Sequence, residues 1–218
     1  MRLLLATRSP HKASEVREIL ATAGDFDLVS LTNLGLQASP EEDDLEHFES
    51  FRENALAKAR YFAAKTELPV LADDSGLRVD ALGGDPGVRT KRFSGRDDLT
   101  GQDLDDANNA LLLEKLQDVP DPQRGAHYVC AAVLVTPAGV ELTAVGTFVG
   151  GIAHEPSGSG GFGYDPLFRP LDDDGRLTHR TVAELSPEEK NRLSHRGKAF
   201  RALAARIQGF VQLSPGQP

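Results

Sequence analysis

Tryptophan is absent from the 218 residues, and cysteine and methionine occur once each. The single thiol, Cys130, excludes an internal disulfide framework and fits a reducing compartment. No stretch approaches the ~20 apolar residues a membrane helix needs. The N-terminal run Leu3-Leu4-Leu5-Ala6 is too short for a signal-peptide core, so a cytoplasmic chain without membrane contact is expected. Positive charge is outnumbered, and the net charge of −9 argues against broad binding to nucleic acid or anionic lipid. One small polyanion can still bind where cations gather locally. The six histidines show no HxxxH or Cys/His spacing, which removes a structural zinc site. GxxxxGK[ST] and GxSxG are both missing, which removes P-loop NTPases and the serine-hydrolase elbow.

What is present is ordinary globular material, 39% hydrophobic and 26% charged, and one domain over residues 1–218 is expected. Residues 3–7 read as a buried strand that ends at Arg8-Ser9-Pro10. Ser9 can cap, and Pro10 can open, a helix whose apolar positions are Val16, Ile19, Leu20 and Ala23. A second strand is expected over 26–31, and an acidic loop over 37–47. Phe48, Phe51, Ala55, Ala59 and Phe62 make one helical stripe. Val70-Leu71-Ala72 reads as a short strand entering an Asp73-Asp74-Ser75-Gly76 turn, followed by extended residues 77–79. Leu104, Leu111, Leu112 and Leu116 suggest a helix, and residues 127–136 and 140–149 a hairpin. Residues 155–166 form a glycine-rich loop. Ser186-Pro187-Glu188-Glu189 carries a capping-box helix start, and Ser194 either continues that helix or caps a second one. Early alternation of helix and strand with a late hairpin predicts an α/β fold, a mixed sheet flanked by helices.

Five places can carry chemistry. Thr7 to Lys12 put two hydroxyls and a lysine at a helix N-terminus, which attracts phosphate. Asp73 and Asp74 are adjacent in extended chain and therefore face opposite ways, so they should have different jobs. One suits Mg²⁺, which needs one or two carboxylates plus phosphate oxygens, and the other suits orienting a backbone or a cation. Glu41-Glu42 offers a second metal ligand. Gly158 to Gly163 fit GxGxxG, but Pro166 blocks the helix a dinucleotide fold requires. Beside Phe162 and Tyr164 those glycines suit a flexible loop over a planar base. Lys190 with Ser194-His195-Arg196 offers donors for phosphate or a base oxygen.

In order along the chain stand Thr7–Lys12, Glu53-Asn54-Ala55 with Lys58-Ala59, and Ala72-Asp73-Asp74-Ser75-Gly76-Leu77. Gly84-x-Pro86-Gly87, Gly160-Gly161-Phe162-Gly163-Tyr164-Asp165-Pro166, Ala183-Glu184-Leu185, Glu189-Lys190 and Ser194-His195-Arg196 follow. This set resembles the inosine triphosphate pyrophosphatase family, the bacterial dITP/XTP pyrophosphatases, from Leu3 to about Leu203. The resemblance implies an elongated two-lobed α/β fold with a central cleft, a homodimer, and Mg²⁺-dependent cleavage of non-standard purine triphosphates to monophosphate and pyrophosphate. It implies that Thr7, Arg8, Ser9, Pro10, His11 and Lys12 bind the triphosphate. Asp74 is then the catalytic and metal residue, with Glu41 or Glu42 as the second metal ligand. Ser75, Phe162, Gly163, Tyr164, Asp165, Lys190, His195 and Arg196 would contact the nucleotide. Arg8-Ser9 stands where the family usually has Gly-Asn, and Arg89-Thr90-Lys91-Arg92 where it has Tyr-Ser-Ala-Arg. A donor from Arg196, His195 or the backbone aimed at O6 would select hypoxanthine and xanthine over adenine. The alternatives are a Maf-like pyrophosphatase of modified nucleotides and a nucleotide-binding regulator without turnover.

Overall fold

The computed structural model describes residues 1–213, so the last five of the expected 1–218 domain lie outside the described residues. The main elements are β1 (Arg2–Leu5), α1 (Pro10–Ala21), β2 (Asp27–Ser30), α2 (Phe51–Thr66) and β3 (Val70–Val79). They continue with α3 (Gly101–Lys115), β4 (Gly125–Val135), β5 (Glu141–Ile152), β6 (Phe168–Pro170), α4 (Pro187–Leu193) and α5 (His195–Leu213). The strands form a six-stranded sheet in the order β2-β1-β3-β4-β5-β6. β1 runs parallel to β2 and β3, and β5 antiparallel to β6, so the sheet is mixed as expected. The connection of β4 to β5 is too short for a parallel crossover, which leaves the expected hairpin. No helix among the described residues is long and apolar enough to cross a membrane.

The described chain divides into two compact units: residues 1–75, 130–146 and 195–213, and residues 76–129 and 147–194. In the first, strand alternation sorts the core onto two sheet faces. Leu3, Leu5, Leu71, Cys130, Ala132 and Leu134 pack with Val16, Ile19 and Leu20 of α1 and Phe200, Leu203 and Ile207 of α5. The alternate residues Leu4, Ala6, Val70, Ala72, Val133 and Val135 pack with Ala55, Ala59 and Phe62 of α2. Each fully buried Val, Leu, Ile or Phe side chain is worth about 1.5–3 kcal/mol. The second unit has its own core, including Leu77, Leu112, Leu116, Phe148, Tyr164 and Phe168. There Arg124 is buried and meets carbonyls instead of carboxylates. It donates to Ile152 O at 2.9 Å, Leu116 O at 2.6 Å, Val119 O at 3.3 Å and Ala153 O at 2.9 Å.

The structure departs from the sequence reading in two places and decides a third that the sequence left open. Phe48 is not part of the helical stripe: it is 37% exposed, and α2 starts at Phe51, where Ser50 caps by accepting from Glu53 N. Residues 73–76 do not turn. They are the middle of a continuous ten-residue strand, buried at every position from Val70 to Leu77. The break at Ser194 is real, because Ser194 is extended (φ −66°, ψ 158°) between α4 and α5.

Candidate active site

Alternation along β3 decides what the two aspartates do. Asp73 shares the parity of Leu71 and so lies on the α1/α5 face, whereas Asp74 shares that of Val70 and Ala72 and lies on the α2 face. Asp73 is 1% exposed. Its Oδ2 receives Arg196 Nε at 3.3 Å, stands 3.5 Å from Lys12 Nζ and accepts weakly from Ser75 Oγ at 3.5 Å. Burial alone would raise its pKa; the Lys12, Arg196 and Lys58 cations outweigh burial and hold the carboxyl well below the usual carboxylate range. Asp73 is thus the cation-holding member of the pair.

Asp74 is the opposite case. Its Oδ2 accepts from Asn54 Nδ2 at 2.9 Å and its Oδ1 from Ser75 N at 2.9 Å. Burial is the largest influence and raises its pKa, and the charge of Glu46 adds to that effect. Lys12, Lys58 and the Asn54 bond pull the other way without cancelling it. A carboxyl with a raised pKa among fixed cations is suited to exchanging a proton with a reacting group.

The β1–α1 junction forms as its residues dictate. Ser9 caps α1, its side chain accepting from Lys12 N at 3.3 Å, while Thr7 Oγ1 accepts from Ser9 N at 3.2 Å and Pro10 takes the first turn. His11 is exposed. Arg8 does not join the hydroxyls: its guanidinium donates to both carboxylate oxygens of Glu42, at 2.9 and 2.7 Å. The charge expected to meet phosphate is held by a carboxylate instead.

In the acidic loop each glutamate has a different partner. Glu42 is taken by Arg8, and the carboxylate of Glu41 accepts from Tyr61 Oη at 2.8 Å. The glutamate whose charge reaches Asp74 is Glu46, which also contacts Lys58. Burial would raise the Glu46 pKa, and Lys58 more than offsets this, keeping it ionised. Asn54 ties this segment to Asp74: it accepts from Phe48 N at 2.8 Å, donates to Phe48 O at 3.1 Å and donates to Asp74 as well. Asn54 and Lys58 lie one turn apart on α2, and their i, i+4 spacing was the available signal. Glu46 had none, being one of several acids in the same stretch.

Arg196 is also placed differently from expectation. It is 2% exposed, and donates to Asp73, to Glu15 at 2.5 Å and to Ser75 Oγ at 2.8 Å. Burial would weaken its proton, but Asp73 and Glu15 bind it more firmly than usual. Ser75 Oγ is correspondingly part of this internal network. His195, next along the chain, is buried at the start of α5. Cys130, 3.8 Å from Asp73, is held as a thiol by burial and by that negative charge.

In the second unit the glycine-rich loop is anchored at several points. Asp165 Oδ2 accepts from Phe162 N at 2.9 Å and from Lys190 Nζ at 2.6 Å, and Lys190 lies 4.6 Å from the Phe162 ring centroid. Gly163 is held on both sides by α3, its N–H bonding Asp105 at 2.7 Å and its carbonyl Asn109 at 2.9 Å. Gly161 has φ +76°, and a Cβ there would stand 2.1 Å from Asp165 Oδ2. Tyr164 is in the core, donating to Thr90 O at 2.8 Å, whereas Phe162 is half-buried. Arg89, Lys91 and Arg92 are exposed in the same unit.

Within the described residues no group of three or more His, Cys, Asp and Glu side chains forms a protein-only metal cage. Asp74 and Glu46 both act on Lys58 and on each other through charge, a carboxylate set that fits a divalent ion completing its shell from phosphate oxygens and water.

Comparison with known proteins follows the same lines. A model of the Ham1 family matches residues 3–206. A dITP/XTP pyrophosphatase of Frankia alni is 51% identical over 209 residues, covering 95% of this chain and 98% of its own. One from Streptomyces coelicolor is 48% identical over 212 residues, covering 96% and 98%. Among solved structures, a HAM1 protein from Coxiella burnetii superposes with a TM-score of 0.79 at 34% identity, covering 96% of this chain and 99% of that one. A nucleoside-triphosphatase, dITP/XTP pyrophosphatase, from Mycobacterium abscessus gives 0.65 at 43%, covering 99% and 100%.

Proposed function

Because this chain belongs to the Ham1 family, we propose that it hydrolyses non-standard purine nucleoside triphosphates, dITP, XTP and ITP, to the monophosphate and pyrophosphate. The observation that supports this reading best is the Asp74 carboxyl, buried, braced by Asn54 and of raised pKa, with Lys12 and Lys58 nearby. Lys12 and the capped start of α1 bind the triphosphate. Asp74 accepts the proton of the water that attacks the α-phosphorus, and Asn54 holds the receiving carboxylate in place. Asp73 keeps Lys12 and Arg196 in position. Bound Mg²⁺ would neutralise phosphate charge and orient the phosphate oxygens, and Asp74 and Glu46 are the residues to hold it. Phe162 stacks on the base, while Lys190, Asp165, the Gly163 and Tyr164 backbone and His195 complete nucleotide contacts. Assembly as a homodimer in the cytoplasm belongs to the same reading.

A pyrophosphate-release assay over ITP, dITP, XTP and the standard triphosphates, with and without Mg²⁺, tests it. Turnover of the first three well above ATP and GTP is expected. Binding of ITP without release would make the chain a nucleotide-binding regulator instead. Gly161→Ala should raise KM for ITP about tenfold with kcat little changed, since its methyl group displaces Asp165 from Phe162 and Lys190 and costs about one hydrogen bond. An unchanged KM in steady-state kinetics would detach this loop from base binding.

A further inference from the structure

Arg8 stands between Thr7 and Ser9, in the turn that presents Lys12, yet four hydrogen bonds bind it to another part of the chain. Nε and Nη2 grip the two oxygens of Glu42. Nη1 donates to Leu36 O at 2.7 Å, and Nη2 to Gln37 O at 2.9 Å. A guanidinium has five N–H groups, and these contacts engage most of them. Glu42 is fixed on its other side by Ser39 N at 3.2 Å, which closes a capping box on the short helical turn Pro40–Glu42. Four residues on, Glu46 meets Lys58, and Asn54 grips Phe48.

The segment 36–48 is therefore fastened at both ends. Between the fastenings it carries Glu41, Glu42, Asp43, Asp44 and Glu46, which repel one another and any polyphosphate. That repulsion works against keeping the segment in place. We propose that Arg8 is a positioning residue: by clamping Glu42 and the Leu36 and Gln37 carbonyls, it holds the acidic segment so that Glu46 stays beside Asp74 to receive a divalent ion. The proposal rests on Glu46 and Asp74 being the metal pair. Glu42, in this account, binds no metal, and its carboxylate serves as the anchor for Arg8. A direct phosphate role for Arg8 predicts the reverse, because freeing it from Glu42 would then strengthen ligand binding.

The test compares Arg8→Gln, Glu42→Gln, the double variant and Arg8→Lys in the full-length protein, with folding checked by circular dichroism. Mn²⁺ affinity in the presence of inorganic pyrophosphate is read by paramagnetic resonance, and amide exchange is followed over residues 36–48. Each single Gln variant is expected to weaken Mn²⁺ binding about tenfold, the low end for residues that orient metal ligands. The double variant should be no worse than either single one, and exchange over 36–48 should quicken in all. Arg8→Lys should resemble Arg8→Gln, because an ammonium cannot make the two-pronged contact. Unchanged exchange and unchanged Mn²⁺ affinity in Glu42→Gln overturn the proposal, as does tighter pyrophosphate binding in that variant. Glu46→Gln separates the two readings. If it leaves Mn²⁺ affinity intact, the metal pair is wrong and the proposal falls with it, while quickened exchange in the clamp variants would still show that Arg8 restrains the segment.

Discussion

Asp74→Asn is expected to lower kcat by about 10²- to 10⁴-fold, the range for losing a positioned proton-transfer group, while the fold stands. The substituted side chain has the same shape and keeps an oxygen for Asn54 Nδ2 or Ser75 N. The variant's stability reflects two opposed effects. Burial raises the folded pKa of Asp74, so the folded protein binds this proton more tightly than the unfolded chain does. Stability attached to the group is therefore full below its unfolded value and falls as pH rises through the folded one. Above that range the metal-free protein carries a carboxylate in a site that disfavours it; an amide removes that cost but turns its NH2 toward one of the two donors, which costs about 1–3 kcal/mol. Melting of the metal-free proteins at pH 7 should show Asp74→Asn within about 5 °C of the parent Tm. A variant with near-parental turnover removes Asp74 from the chemistry, and one with a sharply lower Tm makes the residue structural.

The largest stability effect is expected at Arg196. Arg196→Ala leaves Asp73 and Glu15 facing a void where a guanidinium stood, and breaking a buried ion pair from one side costs about 3–5 kcal/mol. Lys12, 3.5 Å from Asp73, still compensates in part and places the cost near the lower end. Against a typical stability of roughly 5–15 kcal/mol this is a large share. Arg196→Lys should recover only part, because one ammonium cannot reach Asp73, Glu15 and Ser75 together. The pH dependence has a definite sign. Burial works against the Asp73 charge and the surrounding cations prevail, so its folded pKa lies below the unfolded value. Its contribution is present above about pH 4 and is lost as pH falls further. The gap between parent and Arg196→Ala should therefore narrow in acid. Urea unfolding at pH 7 and in the acid range reads both. A loss under 1 kcal/mol at pH 7 would mean that Arg196 is not the counter-charge of this site.

Local chemistry was legible wherever a residue acts on its own neighbours. Ser9-Pro10 and Ser186-Pro187-Glu188-Glu189 cap the helices they were read as starting, since a cap needs only residues within one turn. The opposite placement of Asp73 and Asp74 followed from strand alternation alone. The glycine-rich loop and the β4–β5 hairpin were equally plain. Phe48 misled because its spacing from Phe51 matches a helical turn, and spacing does not reveal that Ser50 caps after it. Asp73-Asp74-Ser75-Gly76 looked like a turn because such residues are turn formers in water. Deep in the sheet, with Arg196 and Asn54 satisfying the carboxylates, extended backbone is favoured instead.

Order along the chain was enough to set the capped helix start, the paired aspartates, the hairpin and the family, because each depends on neighbouring residues or on long runs of matching ones. Folding alone settled the partners: Arg8 with Glu42, Glu46 with Lys58, Arg196 with Glu15 and Asp73. These contacts join residues 12 to 181 positions apart. At such separations the charge of a side chain states only that it needs a counter-charge, and the packing of α1, α2 and α5 on the sheet decides which one it meets.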